Sequence, residues 1–197
     1  MNVSEHYDKL IEEDNDPFYD GKILREYMDK WDGEDFIRSL ELDETKSVLE
    51  VGVGTGRLAK KVAPRCLEFV GIDVSPKTVE RARENLKGFG NVSIICADFT
   101  DYLFERRFDV IYSSLVMMHI KDKEGFISKI GGLLNKNGIF CLSIDKSKEK
   151  FIDTGSRKLE IYPDSPEKTF SFIEKTDMTV TKQFDTEFAH VFVCKKT

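Results

Sequence analysis

Five short apolar runs recur along the chain: Ser47–Val51, Glu68–Ile72, Val92–Ala97, Asp109–Ser113 and Gly138–Ile144. Each is apolar along most of its length rather than strictly alternating, the pattern of a strand buried on both faces of a parallel sheet. Helical stripes separate several of them. Leu58, Ala59, Val62 and Ala63 make one, Val79, Ala82 and Leu86 a second, and Phe126, Ile127, Ile130, Leu133 and Leu134 a third. The second helix has a marked start, with Ser75 at the N-cap and Pro76 at the first helical position. Asn137-Gly138 is expected to stop the third. Strands alternating with helices in this way commit the chain to an α/β doubly wound fold.

The two ends depart from the alternation. Residues 1–44 read as a helical cap over a core at 45–197, with Tyr7, Leu10, Ile11, Ile23, Leu24, Tyr27, Trp31, Phe36, Ile37 and Leu40 as its apolar positions. Asp145–Lys158 reads as a polar loop, and Ser165–Lys175 as a helix. Met178–Phe184 and Phe188–Cys194 then pair as an antiparallel hairpin turned at Asp185-Thr186-Glu187. Together with the five apolar runs these make a seven-stranded, mostly parallel sheet with helices on both faces. No repeat or linker divides the 197 residues, a length suited to one domain.

Charge narrows the partners. Thirty Lys and Arg stand against 36 Asp and Glu, a net charge of −6, whereas a duplex-binding protein usually carries a basic excess. No nucleic-acid partner is therefore expected. No apolar run approaches the roughly 20 residues of a membrane span. The start, Met1-Asn2-Val3-Ser4-Glu5-His6, has neither the basic opening nor the apolar stretch of a signal peptide, which makes the cytoplasm the expected compartment. Cys66, Cys96, Cys141 and Cys194 form no CxxC pair, so no metal is expected, and Cys96 and Cys141 lie in apolar runs where a thiol acts as a small core residue. His6 reads as part of a frayed terminus and His190 as a residue on a strand face.

The segment Val48-Leu49-Glu50-Val51-Gly52-Val53-Gly54-Thr55-Gly56 carries the chemistry. A buried strand runs into three alternate glycines, and a helix is expected from near Thr55. Glycine permits positive φ in a tight turn and close approach of a ligand to the backbone, and a helix start presents unpaired N–H groups. Asp73 ends the next strand about 20 residues further on, where a carboxylate can accept both hydroxyls of a ribose. A nicotinamide-binding domain shares this outline. However, Arg57 stands near where a pyrophosphate turn would place its third glycine, and Glu50 sets a carboxylate where a phosphate would be repelled. A cofactor with a positive centre and no phosphate suits the segment better.

These residues resemble motif I of the class I S-adenosylmethionine-dependent methyltransferases, [DE]-x-G-x-G-x-G, through Glu50, Gly52, Gly54 and Gly56. Further landmarks follow in order: Asp73 with Ser75-Pro76, then Ala97-Asp98-Phe99, then Phe108-Asp109-Val110-Ile111, then Leu134-Asn135-Lys136-Asn137-Gly138 and the closing hairpin. Asn135 departs from the usual Lys. The resemblance covers about residues 45–195 and implies the Rossmann-like methyltransferase fold. It also implies transfer of a sulfonium methyl by in-line displacement, leaving S-adenosylhomocysteine. In that family the backbone at Gly52, Val53 and Gly54 lines the methionine and ribose parts. Asp73 would hold the ribose, Val74 would pack on the adenine, Asp98 would accept from its amino group beside Phe99, and the carbonyl side of Ser113 and Leu115 would face the sulfonium end.

His119, after the fourth strand, is the candidate general base. Tyr7, Tyr19, Tyr27 and Trp31 are candidates to close the acceptor pocket, because aromatic faces attract a sulfonium. The Asn/Asp-Pro-Pro-Tyr motif of amide methylation is absent, with Ser113-Ser114-Leu115-Val116 in its place, and no large insertion supplies a substrate domain. A small-molecule acceptor is expected, in a monomer or homodimer. The alternatives are a non-catalytic S-adenosylmethionine-binding module and, more remotely, an NAD-dependent oxidoreductase.

Overall fold

The run Ser47–Val51 becomes strand β1, and all five of its residues are buried. It lies third in a seven-stranded sheet that the computed structural model, which describes residues 1–197, orders β3-β2-β1-β4-β5-β9-β8. The other parallel members are β2 (Glu68–Asp73), β3 (Val92–Cys96), β4 (Phe108–Ser114) and β5 (Leu134–Asp145). Strands β8 (Met178–Asp185) and β9 (Ala189–Lys196) form the hairpin, with β9 inserted antiparallel between β5 and β8. Helices pack on both faces. Phe36, Leu40, Val62, Phe69, Val79 and Tyr112 belong to one core cluster, and Phe126, Ile130, Phe140, Ile173 and Phe192 to the other. Strand order reverses between β1 and β4, so a crevice opens at the carboxyl ends of these strands.

Several expectations need correcting. The cap consists of three short helices, α1 (Val3–Glu12), α2 (Lys22–Met28) and α3 (Gly33–Arg38). Asp14, at φ +57°, and Pro17 break the chain between the first two. His6 is not frayed: Asn2 and Glu5 form a capping box at the start of α1, and His6 is buried. After the glycine turn the helix starts only at Ala59 and lasts four residues (α4, Ala59–Val62). Pro64, which lacks an N–H, then converts it to a 3-10 turn. Cys96 is exposed because β3 is an edge strand. Asn137, at φ +63°, bulges within β5 instead of marking its boundary, and the register against β4 shifts there. The Asp145–Lys158 stretch is not all loop. Strand β6 (Phe151–Asp153) pairs with β7 (Lys158–Glu160) in a small ribbon.

The remaining helices are α5 (Pro76–Asn85), α6 (Lys123–Leu133) and α7 (Pro166–Glu174), capped by Ser75, Asp122 and Ser165. Arg157, in the turn of the ribbon, forms a two-pronged pair with Glu13 at the end of α1, which ties the ribbon to the cap.

Candidate active site

A cavity of about 300 Å³ occupies the crevice. Its floor is the glycine turn. Gly52 N–H and Val53 N–H both donate to the Ile72 carbonyl, at 2.8 and 3.1 Å, which folds the turn back onto β2. Gly52 sits at φ +78°, and a Cβ there would lie 2.1 Å from a Val116 methyl. Gly54, at φ +55°, has nothing within 4 Å of its Cβ direction, so the cavity wall there is bare backbone. Gly56 does not line the cavity. A Cβ on it would press on Leu86 at 3.0 Å, so this glycine allows α5 to pack closely behind the turn.

Asp73 ends β2 with its carboxylate pinned by backbone. One oxygen accepts from Gly54 N–H and the other from Ser75 N–H, each at 3.0 Å. Burial raises its pKa, and these backbone bonds oppose the rise. Each oxygen keeps a lone pair for a further donor. Glu50 is buried, accepts from the Tyr112 hydroxyl at 2.8 Å, and has its pKa pushed well up by burial. Val74, Ala97, Asp98 and Phe99 continue the wall. Asp98 accepts from the N–H and the hydroxyl of Thr100, both at 2.7 Å, so it also serves as a turn cap.

On the other side, α1 brings Tyr7 to the cavity and the 3-10 turn Met117–His119 brings His119. The Tyr7 hydroxyl lies 2.9 Å from His119 Nε2, with the rings edge-on at 5.5 Å, although 112 positions separate them in sequence. His119 is lowered to about 4, by burial first and then by the nearby His6 and Lys123. Burial, followed by Asp73, raises the Tyr7 hydroxyl. Both side chains are therefore neutral near pH 7. His119 Nδ1 is buried and without a hydrogen-bond partner.

Ser113 turns its side chain away from the cavity, and three of the aromatic candidates fall elsewhere. The Ser113 side chain is fully buried and donates to the Val51 carbonyl at 3.0 Å, tying β4 to β1, and the next residues, Ser114 and Leu115, line the cavity. Tyr19 is 71% exposed and stacks edge-on against Phe18. Tyr27 and Trp31 pack on one another and on Phe188, and Trp31 donates to Asp145 at 3.3 Å, so neither of these two candidates lines the cavity. Tyr19 lies in the irregular segment between α1 and α2, and Trp31 in the turn between α2 and α3.

Other lining residues went unnoticed in the sequence. Arg57 lines the cavity and grips Asp32 with two nitrogens, and Asp32 also accepts from Ser114 Oγ at 2.9 Å and Gly33 N–H at 2.8 Å. The Asp32 side chain is wholly buried, so it joins the cap, the glycine turn and the end of β4. Asp32-Gly33, an N-cap pair, was the one available clue. Leu115, expected from the sequence to face the sulfonium, holds φ +61°, an uncommon conformation for a non-glycine residue, at the cavity wall. Pro17 and Met28 also line the cavity. No group of three or more His, Cys, Asp or Glu side chains is placed to hold a metal ion, and no helix is long and apolar enough to cross a membrane.

Residues 42–186 match the family described as a methyltransferase domain. An uncharacterized methyltransferase from Anoxybacillus flavithermus is 35% identical over 127 residues, 61% of this chain and 58% of that protein. Malonyl-[acyl-carrier protein] O-methyltransferase 1 from Ilyobacter polytropus is 31% identical over 107 residues, 53% of this chain and 40% of that protein. The chain thus spans about half the length of these curated relatives. The fold resembles the crystal structure of the N-methyltransferase NodS from Bradyrhizobium japonicum in complex with S-adenosyl-L-homocysteine. The TM-score is 0.77 at 18% identity, over 100% of this chain and 99% of that one.

Proposed function

Because the chain belongs to the class I S-adenosylmethionine-dependent methyltransferase family, we propose that it binds this cofactor in the cavity and passes the methyl group to a small-molecule acceptor. The observation that carries the reading is the pairing of two walls across one cavity. On one side are the bare Gly54 backbone and the pinned Asp73 carboxylate, and on the other the neutral Tyr7–His119 pair.

The residues present fit the cofactor. A Cβ at Gly54 would project into open space, leaving room for a ligand against the backbone. Asp73 keeps lone pairs for the two ribose hydroxyls, while Val74 and Phe99 offer apolar surface to adenine beside Asp98. Glu50, Gly52 and Val53 would shape the methionine end. Gly56 and Ser113 would act only by packing behind it. When bound, the cofactor supplies an electrophilic methyl on a sulfonium and a neutral thioether leaving group.

The chain's own task is then orientation. Holding a nucleophile about 3 Å from the methyl and in line with its bond can supply on the order of 7–11 kcal/mol. The Tyr7 hydroxyl fixes the His119 ring. With the Tyr7 O–H donating to Nε2, the imidazole takes the Tyr7 proton as that hydroxyl takes the acceptor's, so the pair removes one proton as positive charge builds on the attacked atom. Malonyl-[acyl-carrier protein] O-methyltransferase and the N-methyltransferase NodS differ in the atom named for methylation, so the relatives leave that atom open. Calorimetric titration tests the reading. Micromolar binding of S-adenosylmethionine and S-adenosylhomocysteine is expected, with none of NAD. Binding of NAD, or of no nucleotide, would overturn it, and cofactor binding with no turnover across an acceptor screen would favour a binding module.

A further inference from the structure

Two ion pairs leave their carboxylate with 1% exposure or less, Arg57–Asp32 at the glycine turn and Lys123–Asp164 beside the turn that carries His119. Burying such a pair gives little net stability, since apolar residues of similar volume often do as well or better. What Lys123 holds accounts for its place. Its ammonium, at the start of α6, also donates at 2.7 Å to the carbonyl of Met117, the first residue of the turn Met117–His119. The next carbonyl, that of Met118, accepts from Tyr162 N–H, likewise at 2.7 Å. Tyr162 and Asp164 both lie between the ribbon and α7, and Lys148 donates to the Asp164 carbonyl at 2.9 Å. The turn that aims His119 is therefore gripped from behind by a strap, residues 148–164.

The same strap reaches the other half of the pair. Arg157, in its ribbon, holds Glu13 at the end of α1, the helix that carries Tyr7. One segment thus bears on both Tyr7 and His119. Lys123, Arg157, Tyr162 and Asp164 do not line the cavity, so they reach the reacting groups only through those two rings. The contact they support is sensitive to displacement. A hydrogen bond of 2.9 Å is lost by about 3.6 Å.

We propose, resting on the methyltransferase reading above, that Lys123 and Asp164 are positioning residues for methyl transfer. They hold the Met117–His119 turn so that His119 Nε2 accepts from the Tyr7 hydroxyl, and Arg157 braces Tyr7 from the cap side. Nitrogen NMR of the imidazole rings in the S-adenosylhomocysteine complex tests this at alkaline pH. The chain has three histidines, and a neutral ring that accepts at Nε2 carries its proton on Nδ1. In the wild type His119 should be that single tautomer, and Tyr7→Phe should release it into a mixture, which sets the scale. Lys123→Met should shift the His119 signals most of the way to the Tyr7→Phe positions, and Asp164→Asn and Arg157→Ala part of the way.

Lys196→Met is the control for a merely structural lysine. Lys196 donates to the Gly131 carbonyl at the far end of the same helix, at 2.8 Å, and pairs with Asp177. Its loss should leave the His119 signals in place. S-adenosylhomocysteine affinity should be unchanged in Lys123→Met, because the glycine turn and Asp73 are untouched. An unshifted His119 in folded Lys123→Met, an equal shift in Lys196→Met, or a tautomer mixture in the wild type would overturn the positioning role and leave the methyltransferase reading standing. Should Lys123→Met fail to fold, wild-type His119 signals in both Asp164→Asn and Arg157→Ala would overturn it equally. Failure of the wild type to bind S-adenosylhomocysteine would remove the premise, and the proposal with it.

Discussion

On the sheet side of the cavity the polar contacts are made largely by backbone. Gly52 and Val53 N–H bind a strand carbonyl, Gly54 and Ser75 N–H pin Asp73, and glycine conformations set the turn. On the cap side they are made by side chains that meet across long stretches of sequence, Tyr7 with His119 and Asp32 with Arg57 and Ser114. A wall made of backbone tolerates little change in main-chain geometry but depends on few side-chain identities. A wall made of side chains has the opposite sensitivity.

The sharpest way to break this contrast is at the glycines. Gly52→Ala should abolish cofactor binding and cost about 3 kcal/mol in urea unfolding, because it combines a strained φ with a collision at Val116. Gly54→Ala meets only the left-handed backbone penalty and should cost about 1 kcal/mol. Equal losses would show that the turn is not the rigid wall described. On the cap side, His119→Ala should lower kcat by about 10²–10⁴ with little change in cofactor affinity. A change in affinity alone would remove it from the transfer step. Asp73→Ala should weaken S-adenosylmethionine binding by on the order of 100-fold while the melting transition persists, since two hydrogen bonds to a charged group are lost. Unchanged affinity would dissociate the carboxylate from the ribose.

The pH dependence sharpens the same comparison. His119 titrates near 4 in the folded chain against 6.5 for a free imidazole, so the unfolded chain takes up the proton first. Its contribution to stability is complete above pH 6.5 and declines as the pH falls towards 4. The difference between wild type and His119→Ala in urea titrations should grow over that window and nowhere above it. A kcat inflection at 6.5 would mean the ring is solvated. Smallest of all, Tyr19→Ala should move stability by less than about 0.5 kcal/mol and leave cofactor affinity alone, as for other exposed positions.

The same division explains what was legible in the sequence. The glycine turn, Asp73, Asp98 and the strand–helix alternation are local patterns, and Gly52, Gly54, Asp73 and Asp98 line one cavity although the helix after the turn starts only at Ala59. His119 and Tyr7 were visible singly, but nothing in the sequence ties positions 112 residues apart. Motif spacing also marks Gly56 and Ser113, whose neighbours are Leu86 and the Val51 carbonyl rather than the cavity. Tyr19 and Trp31 misled because both sit in turns between the short cap helices, where aromatic character does not say which way the side chain faces.

The placement of β9 has a consequence for how the protein is made. β5 is complete at Asp145, but the strand that covers its edge begins only at Ala189. While the chain emerges from the ribosome, the apolar stretch Ile139–Ile144 therefore offers an unpaired rim to any neighbouring polypeptide. The period of greatest aggregation risk ends when the closing hairpin is synthesised, so translation pauses between these two points would lower yield without altering the finished molecule.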